Sequence, residues 1–242
     1  MSEYFYVPAE FIIDHHIAIE GEEAKHISRV LRKQPGENIW VVDGNGKAFE
    51  AVIRLVAPEM IECEILFEHH HLHEPDIDVT LAVAQLKNPS RMDWIIEKAT
   101  ELGVARITPV MTRRTIVERV NTDRMRANAI EAAEQSERLT VPEINEPVTL
   151  KAMLSTWDPD RVLAFCDEAG GAADAASAFA GRQAGKWAIL TGPEGGFDPE
   201  ERELIRSLTF SLPLSLGPRI MRADTAALSA IAVWQALKGD WR

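Results

Sequence analysis

Two glycine-bearing stretches near the C-terminus constrain this chain more than any other feature. They are Leu190-Thr191-Gly192-Pro193-Glu194-Gly195-Gly196-Phe197 and Leu216-Gly217-Pro218-Arg219-Ile220-Met221-Arg222. Each follows a short apolar run of strand type (Trp187 to Leu190, then Ser211 to Leu216) and precedes a helix signal. That places two backbone-rich loops at the carboxyl ends of neighbouring strands, where open α/β sheets bind ligands. Glycine at such a point lets a ligand approach the main chain. Neither loop carries the Gly-Lys-Ser/Thr of a phosphate loop or the Gly-x-Gly-x-x-Gly of a dinucleotide fold. The ordinary nucleotide-binding classes drop out.

The 242 residues are 46% hydrophobic, enough for one large domain or two small ones with a packed core. Cys63 and Cys166 have no paired spacing and read as buried hydrophobes in a reducing compartment. No signal peptide or membrane-length apolar run is evident, so a cytoplasmic, soluble protein is expected. The net charge of −12 argues against diffuse nucleic-acid binding. The charge is uneven, however. Residues 24–33 hold Lys25, Arg29, Arg32 and Lys33 without an acid, and Arg113, Arg114, Arg119, Arg124 and Arg126 face only Glu118 and Asp123. Such patches bind phosphates even on an acidic protein, or they are solvated helix faces. Charge spacing leaves both readings open.

Residues 1–72 have the texture of a small β domain, with apolar runs at Phe11–Ile13, Asn38–Val42, Ala48–Ile53 and Met60–Phe67. Asp43-Gly44-Asn45-Gly46 is a hairpin signal, and one helix is expected around Glu22–Arg32. The polar stretch near Glu68–Asp78 marks the boundary. Its His69, His70, His71 and His73, beside Glu74 and Asp76, suggest a metal site by composition. Crowded neighbours rarely close a tetrahedral site, so a linker without metal is the expectation. From residue 79 strands and helices alternate: a strand at Val79–Ala84, a helix capped by Ser90 with Asp93 in the capping-box position, and a strand at Ala105–Met111. A helix over Thr122–Leu139, strands at Arg161–Cys166 and Trp187–Thr191, and a helix after Asp198-Pro199-Glu200-Glu201 follow. A last helix runs from about Asp224 to Gly239. Alternation of this kind means a mostly parallel sheet covered on both faces.

Three further stretches join the two loops: His26 to Arg32 (His-Ile-Ser-Arg-Val-Leu-Arg), Arg91 to Gly103 (Arg-Met-Asp-Trp-Ile-Ile-Glu-Lys-Ala-Thr-Glu-Leu-Gly) and Glu131 to Ser136 (Glu-Ala-Ala-Glu-Gln-Ser). Any one of these is weak, but the ordered set spans essentially the whole chain. It resembles the bacterial 16S ribosomal RNA (uracil-N3)-methyltransferases, within the SPOUT class of S-adenosylmethionine-dependent RNA methyltransferases. The resemblance implies an α/β fold: a PUA-like, RNA-binding β-barrel over 1–72, then a SPOUT domain over 73–242 with a mostly parallel sheet and a deep trefoil knot. It also implies a homodimer with the substrate site near the subunit interface. Three positions depart from the family pattern. Glu137 stands where glycine is usual, Ala223-Asp224 replaces Thr-Glu, and Lys87-Asn88-Pro89-Ser90 replaces Pro-Lys-Gly-Asp. Both loops keep their glycines.

By the same resemblance S-adenosylmethionine is the cofactor, held by main-chain groups of three loops. These are Asp167 and Glu168; Leu190, Thr191, Gly192, Pro193, Glu194, Gly195 and Gly196; and Leu216, Gly217, Ile220 and Met221, with Thr225 just beyond. The implied reaction methylates N3 of one uridine, position 1498 in the usual numbering, of 16S rRNA in the small ribosomal subunit. The uracil N3 must lose its proton first, and its anion spreads charge onto the flanking carbonyl oxygens. Arg222 is placed to stabilise that anion or anchor a phosphate; a salt bridge is its plainer reading. Glu194 is the nearest candidate base, or a cap on the glycine turn. Lys25, Arg29, Arg32 and Lys33 are spaced to line one side of a short helix and, with His26, Arg91, Arg113 and Arg114, are the candidate RNA contacts. No metal is required. A SPOUT enzyme acting on transfer RNA or a 2′-hydroxyl, and a non-catalytic ribosome-assembly factor, remain as alternatives.

Overall fold

In the N-terminal part the Asp43 carboxylate accepts the Asn45 and Lys47 amides at 2.8 and 3.0 Å, an Asx-type turn. That turn folds the strand Asn38–Val42 back on the strand Ala48–Ala57. The computed structural model describes residues 4–70, 72, 74–75, 77–117, 119–183 and 185–241. The chain divides into two compact units: Met1–Pro75 with Ile130–Val141, and Asp76–Ala129 with Pro142–Arg242. The first is therefore not one continuous stretch, because residues 130–141 join it from beyond the linker.

The first unit is a six-stranded sheet in the order β1-β4-β5-β6-β3-β2. Its strands are β1 (Tyr4–Tyr6), β2 (Ile12–Ile13), β3 (His16–Glu20), β4 (Asn38–Val42), β5 (Ala48–Ala57) and β6 (Met60–Glu68). Alternate residues of these strands (Phe5, Ile17, Ile19, Ile39, Val41, Ala51, Ile53, Ile61) point into one core with Ala24 and Ile27. The helix expected around Glu22–Arg32 is shorter and changes pitch. Helix α1 covers Gly21–Lys25, a widened π-type turn follows at His26–Val30, and Arg32 leaves it in a left-handed conformation with φ 55°. Its basic residues therefore do not share the regular i, i+4 face expected of them. His69 stacks on Trp40 with ring centroids 4.1 Å apart and meets Phe67 edge-on at 4.5 Å, and His70 lies 3.2 Å from Glu68. Half of the His tract is thus occupied in packing and pairing; His71, His73 and Asp76 lie outside the described residues.

The second unit carries an all-parallel sheet in the order β10-β8-β7-β13-β11-β14-β12, with β9 pairing β8 off that path. The strands are β7 (Val79–Ala84), β8 (Arg106–Met111), β9 (Glu143–Ile144), β10 (Val148–Thr149), β11 (Arg161–Cys166), β12 (Ala173–Asp174), β13 (Lys186–Thr191) and β14 (Ser211–Ser215). The helices are α2 (Pro89–Glu101), α3 (Thr122–Gln135, whose second half counts with the first unit), α4 (Leu150–Ser155), α5 (Ala175–Gly181), α6 (Pro199–Arg206) and α7 (Ala223–Lys238). One sheet face packs Leu163, Phe165, Ala188 and Leu190 against α4 and α6 through Leu150, Met153 and Ile205. Trp187, one residue out of phase, meets Phe179 of α5 at 5.6 Å. Both faces are covered, as the near-continuous apolar strands require. The two strands that carry the glycine loops, β13 and β14, are not neighbours as expected: β11 lies between them, because the chain crosses back over β11 after β13 to lay β14 on its other side.

Two local details differ from expectation. Helix α2 is capped by Asn88, whose side chain accepts the Ser90 amide at 3.0 Å, with Pro89 at the first position. Proline has no amide to satisfy there, so Ser90 is not the cap. Asp93 instead binds Arg124 and Asn128, both at 2.9 Å. Helix α3 stops at Gln135, not Leu139. Glu137 adopts φ 57° and the Arg138 amide reaches back to the Ala133 carbonyl at 2.9 Å, a Schellman closure. Glycine is the usual residue at that left-handed position, where a Cβ is strained. Glu137→Gly is accordingly expected to raise stability by roughly 0.5–1 kcal/mol in urea denaturation.

Glu134, on the same helix, accepts the Tyr6 amide at 2.6 Å. Burial pushes its carboxyl up to about 7 from an ordinary 4.5; the Tyr6 amide pulls it down, and nearby Glu23 and Glu131 push it further up. A carboxyl raised on folding binds its proton more tightly in the folded chain. Its contribution is full below the unfolded value and drains away as pH rises from about 4.5 to about 7. Glu134→Gln is expected to match the wild type at pH 4 and exceed it at pH 8 by roughly 2 kcal/mol, read from paired urea melts.

Candidate cofactor site

Strand register builds the floor of the site. β11 and β13 pair Phe165 with Leu190, so Cys166 and Thr191 come next, side by side, and Cys166 pairs with Leu214 of β14. Above these strand ends lies a cavity of about 940 Å³, walled by residues 166–170, 191–196 and 214–223, with Arg91, Ala172, Asp174 and Ala226. This volume suits a drug-sized ligand. The three loops expected to converge do so. Asp167, Glu168, Thr191, Gly192, Pro193, Glu194, Gly195, Gly196, Leu216, Gly217, Ile220, Met221, Arg222 and Arg91 all contribute to the wall. Leu190 does not: it sits in the apolar core between sheet and α6. Thr225 also lies off the wall, exposed, its amide bonded to Asp224 at 2.8 Å. Cys166, Leu214 and Ala226 are not among the expected residues; strand register is the signal that finds Cys166 and Leu214, and the position of Ala226 in the first turn of α7 is the signal for the third.

The glycine loop is shaped by close approach. A Cβ on Gly192 would stand 2.9 Å from the buried Phe197 ring. Gly196 holds φ 68°, and a Cβ there would lie 2.6 Å from Glu168 Oε1. Other groups fasten the loop from outside. The Glu194 carboxylate accepts the Lys87 amide at 3.0 Å, and Arg114 donates to the Gly195 carbonyl at 2.8 Å. Asp198 caps α6 directly behind the loop by accepting the Glu200 amide at 3.1 Å. Arg113 also binds this helix start, its guanidinium to Asp198 at 3.0 Å and its amide to Glu201 at 2.9 Å.

Charge inside the site is compensated. The Asp167 side chain is fully buried; Arg206 donates to it at 2.7 Å and Arg202 lies 3.6 Å away, while Arg202 also pairs Glu168 at 3.1 Å. Arg91 lies 3.4 Å from Asp224. Burial pushes the Cys166 thiol up to about 12, so it stays protonated and non-nucleophilic. One polar atom is left over. The hydroxyl of Thr191, a residue only 1% exposed, has no hydrogen-bond partner among the described residues. An orphaned hydroxyl beside glycine-lined backbone fits an uncharged, polar-edged ligand such as an adenosine. The wall carries the carboxylates of Asp167, Glu168, Asp174 and Glu194 against the guanidinium groups of Arg91, Arg219 and Arg222, a balance that does not repel a sulfonium.

Arg222 occupies the N-cap position of α7, exposed on the cavity rim, without a side-chain cap bond. In the first unit Lys25 pairs with Glu22 at 2.7 Å and Lys33 approaches Glu37 at 3.5 Å. Arg29, Arg32 and His26 are exposed.

Comparison with known proteins supplies the identity of this arrangement. Residues 73–235 match the model of an RNA methyltransferase domain, and residues 19–66 that of an RNA methyltransferase PUA domain. The ribosomal RNA small subunit methyltransferase E of Rickettsia conorii is 31% identical over 92% of this chain and 87% of its own. The chain belongs to this methyltransferase family. The Bacillus subtilis member is 30% identical over 92% of each chain. The crystal structure of the Neisseria gonorrhoeae member, bound to S-adenosylmethionine, superposes with a TM-score of 0.87 at 30% identity over all of both chains. A Legionella pneumophila methyltransferase in complex with the same cofactor superposes with a TM-score of 0.84 at 30% identity over 98% of each chain. The two-domain α/β architecture and the rRNA methyltransferase assignment expected from the resemblance both hold.

The Asp167 pairing explains how the wall stays assembled, and it is testable. Removing Arg206 leaves a fully buried carboxylate with a single, more distant arginine. Arg206→Met is expected to destabilise the protein by roughly 2–3 kcal/mol in denaturant, well above a surface pair.

Proposed function

We propose that this chain transfers the methyl group of S-adenosylmethionine to N3 of a single uridine of 16S rRNA, position 1498 in the usual numbering, within the assembled small subunit. The observation that supports it most is the cavity in which three backbone-rich loops meet over an unpartnered Thr191 hydroxyl, in a chain of this family. When bound, the cofactor supplies an electrophilic sulfonium methyl. The chain's own residues do the rest. Main-chain groups of 191–196 and 216–221, with the Asp167–Glu168 turn, hold the cofactor, and Leu190 supports the glycine loop from the core. Arg222, on the rim and without a cap bond, offers a cation to the carbonyl oxygens flanking N3, so that the deprotonated uracil forms at lower cost. Glu194 Oε1 is engaged with the Lys87 amide, so accepting the N3 proton falls to Oε2.

RNA contact is assigned to the small unit through Lys25, His26, Arg29, Arg32 and Lys33, with the PUA match and the exposure of three of these residues in support. Arg91 belongs to the cofactor cavity's wall. A homodimer in the cytoplasm and a knotted C-terminal half, compatible with the back-crossing from β13 to β14, complete the reading. No helix among the described residues is long and apolar enough to cross a membrane.

The test is methyl transfer to small subunits lacking the native modification, with labelled cofactor and nucleoside digestion. Label is expected in 3-methyluridine; label only in transfer RNA, or none, overturns the reading. Arg222→Ala is expected to lower kcat by 10²-fold or more with little change in cofactor affinity, as for loss of one transition-state donor. Near-wild-type turnover removes that role. Subunit affinity should fall steeply with salt if the cluster contacts phosphates.

A further inference from the structure

The Arg113-Arg114 pair, expected from charge spacing to meet RNA, is built into the cofactor side of the site. The turn after β8 is tight: the Thr112 amide donates to Thr115 Oγ1 at 3.0 Å and the Thr115 amide to the Thr112 carbonyl at 3.1 Å. Glu201 accepts the Arg113 amide at 2.9 Å, so the turn is fastened to α6 as well. From this anchored position Arg114 reaches the glycine loop. Its guanidinium donates to the Gly195 carbonyl at 2.8 Å. Its stem covers the same residue, for a Cβ on Gly195 would lie 3.7 and 3.8 Å from Arg114 Cδ and Cβ. The Gly195 carbonyl belongs to the peptide whose nitrogen is that of Gly196. Holding it fixes the direction of the Gly196 amide at its φ of 68°. That amide closes the turn on the Pro193 carbonyl at 2.9 Å.

We infer that Arg114 is a positioning residue for the cofactor, acting through the Gly195–Gly196 peptide, and is not an RNA contact. The inference rests on the cofactor assignment above and deepens it. Two successive glycines have no side chains to restrain their backbone, and ordering each residue on binding costs about 1–2 kcal/mol of entropy. A charge-assisted bond from an anchored turn removes part of that cost before the ligand arrives.

The experiment uses the full chain as wild type, Arg114→Met and Arg114→Lys. Met keeps the stem and removes the donor; Lys restores one donor. Hydrogen exchange of the peptide covering residues 192–197 is measured without cofactor. S-adenosylmethionine affinity is measured by calorimetry without RNA, and small-subunit affinity is measured across a salt series. The expected result is at least fivefold faster exchange and about tenfold weaker cofactor binding for Met, the worth of one charge-assisted hydrogen bond. Lys should recover both in part, and subunit affinity should stay within twofold with an unchanged salt slope. Unchanged exchange and cofactor affinity, with weaker subunit binding and a salt slope shallower by about one, overturn the inference and return Arg114 to the phosphate contacts. Should Met fold poorly, the Lys variant carries the same comparison. Should wild type fail to bind the cofactor, the cofactor assignment falls, and the exchange measurement alone decides whether Arg114 holds the loop.

Discussion

The site depends on a single buried carboxylate. Asp167 directly follows β11, and its side chain has no exposed surface. An isolated charge there would be prohibitive, so its position is tolerable only with Arg202 and Arg206 in place. Both arginines lie on α6, one turn apart, so satisfying Asp167 fixes where that helix lies over the sheet. The Asp198 cap that begins α6 follows Phe197 immediately, and the glycine loop comes before it. The conformation of 192–197 is therefore set from both ends: by β13 before it and by the Asp167-bound helix behind it. Arg206 also donates to the Gly170 carbonyl at 3.0 Å, so the same helix restrains a second wall of the cavity.

A second carboxylate works at the opposite end of the sheet. Asp78 precedes β7 and receives Arg161 of β11 in a two-pronged pair at 2.7 and 2.8 Å, with Arg106 of β8 at 2.5 Å. Partial burial opposes its ionisation, but the two arginines donate to it and hold its carboxyl below the usual range. Parallel strands lack hairpin turns to set their alignment. A bidentate arginine from one strand and a second from another, both on the residue before a third, align three strand starts at once. Alignment at the amino ends propagates along the paired strands to their carboxyl ends, where Cys166, Thr191 and Leu214 must stand level to form a floor.

Much of this is legible in the sequence. Glycine loops after apolar runs mark strand ends, and the position of ligand sites at those ends is a property of parallel sheets. Asp198-Pro199 specified a helix start because the cap and the proline act within one turn. What escaped the sequence depended on distant partners. Strands Tyr4–Tyr6 and His16–Glu20 carry weak patterns of their own and exist because β4 and β6 offer edges. Ser90 and Asp93 looked like a capping box because both have the right chemistry. Asn88 won because its side chain reaches the same amide with a proline between them, and Arg124, 31 residues away, claimed Asp93. The basic run at 24–33 was misjudged as a regular face, since no local signal announces a π-type turn. Leu190 was grouped with its loop by adjacency, whereas strand alternation sends it into the core.

The arrangement also shows why a site made largely of backbone needs charged residues around it. Glycines admit a ligand closely, but they leave the unliganded loop entropically loose, and every conformation it samples lowers apparent affinity by the fraction that can bind. Here the restraint comes from side chains outside the contact surface: the Glu194 carboxylate on the Lys87 amide, Arg114 on the Gly195 carbonyl, and Glu168 beside Gly196, itself paired with Arg202. These ties arrive from the loops after β7, β8 and β11. All of them address main-chain atoms or occupy space beside them, and among the described side chains that line the cavity the buried Thr191 hydroxyl is left without a hydrogen-bond partner. Two of these three ties are carboxylates, so part of the charge that restrains the loop also favours a cationic ligand. The peptide groups and the Thr191 hydroxyl of the cavity face can match a polar ligand edge without adding net charge.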